Sequence, residues 1–290
     1  MRYSRIQPTL AALLACISLA SCDDHSTDNR NDKAATVPAA AVMANHLKLT
    51  GASTTAALMK PIVERYQALH PEVSITIEMG GAERGVNDAR NNMANIGMVS
   101  RLITDKDQDI KGFPVARDGA GLLVHKDNPV TSLSSAQIVA IFTGRIVNWK
   151  TVGGRDAPII VIKREEGRGT VVLFMHYFKL TYADIKARAV LGENSAVIAA
   201  VVAQPNAISL MSVIVAEQDS RNGVPIKLIA LDGIAATHGN ILSGDYPLAR
   251  PLTLVTRGLP EGLSKNFIAY SLSPQVADIV EKLGFVPYQE

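Results

Sequence analysis

From Leu47 onward the chain alternates short apolar runs with stretches whose apolar residues recur at helical spacing, and Gly, Pro and Asn stand at the joints. A strand has to bury one face and a helix one stripe, so this alternation constrains the chain to a layered α/β architecture. Leu47 to Thr50 reads as a short strand. The turn Gly51-Ala52-Ser53-Thr54-Thr55 follows, then a helix with Leu58, Met59, Ile62, Val63, Tyr66 and Leu69 on one face. Pro61 falls inside that pattern, where it costs roughly 3 kcal/mol, so regular helix is expected to begin a few residues after Ser53. Val73 to Glu78 alternates as a strand, Gly80 to Gly85 follows as a loop, and a second helix comes after it. Ile96 to Val99, Gly121 to His125 and Ile159 to Ile162 read as further strands.

The N-terminus reads differently. Arg2 and Arg5 precede an apolar run from Leu10 to Ala20, which Leu19-Ala20-Ser21-Cys22 closes with small residues, the layout of a secretory signal peptide over 1–21. The run falls short of the roughly 18 to 20 residues of a membrane-spanning helix. Leu-Ala-Ser-Cys resembles a bacterial lipobox, which implies cleavage before Cys22 and the two or more acyl chains that stable anchoring needs. The alternative is an ordinary signal peptide that happens to contain a cysteine. Asp23 resembles the residue that keeps Gram-negative lipoproteins on the periplasmic side of the inner membrane. Residues 22–46 carry no aromatic side chain and no steady apolar period, and read as a flexible tether.

Cys16 leaves with the leader, so Cys22 is the one cysteine of the mature chain. An exported protein without a cysteine pair depends on its core, and 47% hydrophobic with 19% charged residues suits one. A formal net charge of +2 argues against bulk nucleic-acid affinity but leaves room for a local basic pocket. His25, His46, His70, His125, His176 and His238 are scattered, and the Cys-x-x-Cys, Gly-x-Ser-x-Gly and Walker patterns are missing, so neither a metal nor a cofactor is expected. Trp149, Tyr177 and Phe178 are expected to pack in the core.

Three loops have the composition of anion cradles: Ala52 to Thr55, Gly80 to Gly85, and Glu166 to Thr170. Between a strand and a helix, backbone N–H groups and the helix dipole converge on one point and favour negative charge there. Arg84, Arg101, Arg164 and Arg168 lie nearby in sequence, and arginine's planar fork fits phosphate or carboxylate oxygens.

At Ile141-Phe142-Thr143-Gly144-Arg145-Ile146-Val147-Asn148-Trp149-Lys150-Thr151-Val152-Gly153-Gly154 the chain is similar to a hallmark segment of the phosphate-binding proteins of bacterial ABC transporters. Further matches follow in order: Gly51-Ala52-Ser53-Thr54, Ile96 to Arg101, Asp118-Gly119, Asp127 to Val130, Arg164 to Gly167 and Gly244 to Leu252. The resemblance covers about Leu47 to Pro287. It implies a two-lobed periplasmic-binding-protein-like α/β fold of type II, with the ligand in the cleft between lobes. One lobe would comprise 47–124 and 213–290, and the other 125–212.

The resemblance also implies a ligand set. Thr54, with the Thr55 N–H and Ser53 beside it, would donate to the anion, as would Ser100, followed by Arg101. Arg164 would neutralise charge, and Gly169 and Thr170 would complete the cage. Asp118 would either accept the proton of a hydrogen phosphate or cap a turn. Two departures stand out. The family's Gly-Gly-Ser-Gly-Thr-Gly is here Gly80-Gly81-Ala82-Glu83-Arg84-Gly85, and its Gly-Ser-Gly-Thr is Gly167-Arg168-Gly169-Thr170. Two serine hydroxyls are lost, although the Ala82 N–H survives. Glu83 would repel phosphate unless it pairs with Arg84 or Arg168. Either the two arginines reshape the site, for a larger or differently charged oxyanion such as an organic phosphate, or they point to solvent or pair with carboxylates. The functional expectation is a monomeric, lipid-anchored, non-enzymatic protein that delivers phosphate or a related oxyanion to an ABC permease. The alternative is an anion sensor of the same fold.

Overall fold

The computed structural model describes residues 45–288. The leader, Cys22 and all but the end of the expected tether lie outside the described residues. β1 (His46–Gly51), α1 (Ser53–Leu69), β2 (Ser74–Met79), α2 (Ala82–Arg90) and β3 (Ile96–Val99) come first. The 15-residue β4 (Lys111–His125) follows, then β5 (Ser132–Leu133), α3 (Ser135–Phe142), β6 (Ile160–Arg164), α4 (Gly169–Phe178), β7 (Ala189–Leu191), α5 (Asn194–Ala203) and β8 (Ala207–Ser212). The chain closes with α6 (Val213–Arg221), β9 (Ile226–Leu231), α7 (His238–Ser243), β10 (Ala249–Thr256), α8 (Gly262–Ser271), α9 (Ala277–Lys282) and β11 (Val286–Pro287). The alternation legible in the sequence is therefore the architecture. No helix among the described residues is long and apolar enough to cross a membrane.

The sheet runs in the order β2-β1-β3-β10-β4-β8-β6-β7, with β5, β9 and β11 off this path. Its strands fall into two groups that share β4. The first half of β4 pairs antiparallel with β10 and β11, through which β3, β1 and β2 attach. Its second half, Ala120 to His125, pairs antiparallel with β8 and β9, and β6 lies parallel to β8 and β7. β9 thus sits with the strands of the middle segment, although the expected division counts its residues with the first lobe.

Within each group, parallel strands are joined by helices that start at strand C-termini. β1 enters α1, β2 enters α2 and β6 enters α4. Such crossovers place helix N-termini along one edge of a parallel sheet, where open α/β sheets bind ligands.

Packing settles three points differently from the sequence reading. α1 begins at Ser53 and passes through Pro61 unbroken, because Leu58, Met59, Ile62, Val63 and Tyr66 are all buried against the core and hold the helix across the proline. Leu69 of the expected apolar face is exposed. α2 begins at Ala82, so the glycine-rich stretch is already its first turn. Tyr177 is exposed, while Phe178 packs at the core edge against Phe174, itself in contact with Phe142. Trp149 is buried as expected, and its indole N–H donates to the Asn206 carbonyl at 2.9 Å.

Candidate anion-binding site

The first residues of α1 and α4 and the residue just before α2 converge on one small cavity. The N-cap residues Ala52, Gly81 and Arg168 place no side-chain cap on the first turns. Initial helical N–H groups have no intrahelical acceptor, and the dipole makes them electropositive. Ala52, Ser53 and Thr54 line the cavity from α1, Gly81 from the start of α2, Ser100 from the end of β3 and Arg250 from β10. Arg164 at the end of β6 and Arg168, Gly169 and Thr170 at the start of α4 complete it from the other strand group. The groups meet closely, since a Cβ on Gly169 would fall 2.2 Å from the Ser100 Oγ. The open space is no more than about 210 Å³, below the roughly 300 to 1,000 Å³ of pockets for drug-sized ligands.

Positive charge is concentrated there and incompletely answered. Arg164 is 2% exposed and donates from Nη2 to the Gly192 carbonyl at 2.5 Å and to Asn194 Oδ1 at 3.0 Å. Its Nε has no partner, and it forms no ion pair among the described residues. Burial, with repulsion from Arg168 and Arg250, pushes its pKa down to about 10, so it is still charged at neutral pH. Arg250 donates to the Ser100 carbonyl at 2.8 Å and to Asp118 Oδ2 at 2.9 Å, and its Nε also lacks a partner. So does the buried Thr170 Oγ1. Unpartnered buried polar groups are costly, and several around one cavity mark a place built for an acceptor-rich guest.

The expected residues separate into those brought together and those that are not. Ser53, Thr54, Ser100, Arg164, Arg168, Gly169 and Thr170 line the cavity. Thr55 lies one position further along the first turn, with its hydroxyl donating to the Val99 carbonyl at 3.1 Å. Ala82 is fully buried behind Gly81 and does not line the cavity. Arg84 is drawn elsewhere: it binds Glu78 at 2.5 Å, Asp88 at 3.1 Å and the Met79 carbonyl at 2.9 Å. Arg101 is held by Glu83 at 2.6 Å and Asp107 at 2.7 Å beside a wider, separate cavity. Glu83 therefore finds its counter-charge in Arg101, not in Arg84 or Arg168. Asp118 is fully buried and accepts from Arg250 and from the Ile214 N–H at 3.2 Å, so it holds Arg250 and caps α6 instead of facing the cavity.

Arg250 is missing from the expected set. Its signal was a lone charge in the apolar strand Ala249–Thr256, inside the matched segment Gly244 to Leu252. Among the described residues, no group of three or more His, Cys, Asp or Glu is placed to hold a metal ion.

Two strand groups joined through one long strand, with a charged pocket between them, define a solute-binding architecture. The model of the PBP superfamily domain matches residues 32–275. The phosphate-binding protein PstS of Bacillus subtilis is 27% identical over 247 residues, covering 83% of this chain and 80% of that protein. Its namesake in Borreliella burgdorferi is 26% identical over 251 residues, covering 83% and 89%. A solved structure from Clostridium perfringens, described as a phosphate ABC transporter substrate-binding protein with bound phosphate, superposes with a TM-score of 0.78 at 30% identity, over 84% of this chain and all of the other. The chain belongs to the PBP superfamily and, within it, to the family of phosphate-binding proteins of bacterial phosphate ABC transporters.

Proposed function

We propose that this protein captures phosphate or a related tetrahedral oxyanion in the pocket between its two strand groups and delivers it to the permease of an ABC transporter. The observation that carries this reading is Arg164, a buried guanidinium with no carboxylate partner among the described residues, set among three helix N-termini. An anion there would meet Ser53, Thr54, Ser100 and Thr170 hydroxyls, first-turn N–H groups and the free Nε atoms of Arg164 and Arg250. A desolvated anion needs such fixed donors on every oxygen.

In this reading the two strand groups act as lobes, with β9 in the second, and close on the ligand by bending about β4 and its neighbours. The protein performs no reaction of its own. Cys22 carries the lipid that holds the monomer to the membrane, on the periplasmic side of the inner membrane in a Gram-negative cell. Calorimetric titration of the purified chain with inorganic phosphate, after removal of endogenous ligand, tests the binding. Saturable one-to-one binding is expected, and absence of heat and of thermal stabilisation would refute the reading.

A further inference from the structure

Both short hydrogen bonds of Arg164 leave one nitrogen and reach one turn. Nη2 donates to the Gly192 carbonyl and to Asn194 Oδ1, whereas Nη1 faces Met211 Sδ at 3.9 Å and Nε has no partner. The Gly192–Asn194 turn between β7 and α5 therefore fixes where the guanidinium points. A second arginine holds that turn. Arg168 donates from Nη1 to Glu193 Oε1 at 2.7 Å, and from Nε and Nη2 to Glu165 Oε2 at 3.1 and 2.7 Å. Glu193 is the N-cap residue of α5, yet its side chain makes no cap hydrogen bond and goes to Arg168 instead. Glu165 is tied to the strand that leads into the turn, its N–H donating to the Leu191 carbonyl at 3.0 Å. The bridge packs directly on the turn, since a Cβ on Gly192 would fall 2.1 Å from Glu165 Oε2 and 2.3 Å from Arg168 Nη2. Neither glutamate is among the residues that line the pocket.

We infer that Glu165, Arg168 and Glu193 are positioning residues for anion binding: their bridge holds the Gly192–Asn194 turn and, through it, aims Arg164 at the pocket. The inference rests on the oxyanion reading of the pocket. An arginine side chain carries roughly 2 kcal/mol of rotamer entropy, so a guanidinium anchored through one nitrogen keeps its aim only if its acceptors are themselves fixed. The two carboxylates act in opposite senses. As negative charges they repel an anion, and removing either charge should strengthen binding. As acceptors for Arg168 they fix the turn, and removing an acceptor should weaken binding. Glutamine separates the two effects, because it discards the charge and keeps an oxygen that accepts from Arg168.

The test is calorimetric titration with inorganic phosphate of the unmodified protein, Glu193→Gln and Glu193→Ala, with melting curves to verify that each variant folds. Glu193→Gln should bind at least as tightly as the unmodified protein. Glu193→Ala should bind about tenfold or more weakly, the low end of what losing an outer-shell partner costs at metal sites. A second measurement reads the aim of Arg164 directly. In ligand-free protein the Arg164 Nε–H signal in a nitrogen–proton correlation spectrum should be kept in Glu193→Gln and shifted or broadened in Glu193→Ala. Should Glu193→Ala fail to fold, Glu165→Gln and Glu165→Ala make the same comparison at the other end of the bridge. Alanine variants that bind as tightly as the glutamine ones, or that leave the Arg164 signal unaltered, would overturn the inference. So would an equal loss of affinity in both, because only one of them removes the acceptor. Absence of phosphate binding by the unmodified protein would instead refute the oxyanion reading, and this inference with it.

Discussion

Two buried arginines in one pocket do different work because their partners differ. Arg164 donates to neutral acceptors and forms no ion pair among the described residues, so in the proposed reading a bound anion supplies its counter-charge. Arg164→Ala should weaken phosphate binding by about 2 to 5 kcal/mol, as when one partner of a buried charge pair is truncated. Titration calorimetry checks this, and a loss below tenfold would remove Arg164 from the anion's shell. Arg250 already has a partner in Asp118, and both side chains are wholly buried. Asp118→Asn leaves that guanidinium uncompensated and also weakens the acceptor for the Ile214 N–H. The expected cost is about 3 to 5 kcal/mol of stability, measured by urea titration. A neutral outcome would show that Asp118 contributes little to holding Arg250. Arg84 shows the limit of reading charge from sequence. Its carboxylate partners, Glu78 and Asp88, lie six residues upstream and four downstream, and the local geometry of β2 and α2 alone turns it away from the pocket.

At the level of elements, convergence of three helix starts follows from topology. α1, α2 and α4 each leave a parallel strand at its C-terminus, so their electropositive ends share one edge. The segment after β3 is secured by Arg101, which ties Glu83 of α2 to Asp107. Burial pushes the Asp107 carboxyl up, but hydrogen bonds from Arg101 and Thr104 together with the Arg101 charge outweigh it, and its pKa lies below the ordinary 3.8. A carboxylate with a depressed folded-state pKa adds stability that is fully present above its unfolded pKa and is lost as pH falls through the folded value. The Arg101–Asp107 clamp should therefore hold through the neutral range and give way only below about pH 4. Asp107→Asn should lower stability at pH 7 and flatten the acid limb of the stability curve, read by denaturant titrations between pH 7 and pH 3. An unaltered acid limb would mean that other carboxylates govern it.

For the whole molecule, the two strand groups touch across the cleft. The Glu83 N–H donates to the Gly167 carbonyl at 3.2 Å, and Gly169 packs on Ser100. If ligand stabilises this closed arrangement, a hundredfold excess of phosphate over its dissociation constant should add roughly 2.7 kcal/mol of stability. Exchange of the Glu83 amide hydrogen should slow with it, since that amide closes the cleft. Stabilisation without slowed exchange at Glu83 would place the ligand away from the closing contact. Much of this was legible in the chain itself. Strand and helix alternation, the three glycine-flanked loops and the match from Leu47 to Pro287 pointed to an α/β fold with an anion pocket, because period and turn chemistry are local properties. Seven of the expected residues line one cavity. Local rules failed where a distant partner decides the outcome. Core packing on one face carried α1 through Pro61, and Asp118 was claimed by Arg250, 132 residues away. Arg250 entered the pocket only because β10 pairs with β3 and β4. The sequence by itself determined which kinds of groups would gather at helix starts. Only tertiary structure decided which arginines retain unpaired donors toward the pocket, since that depends on which carboxylates the folded chain brings within ion-pair distance.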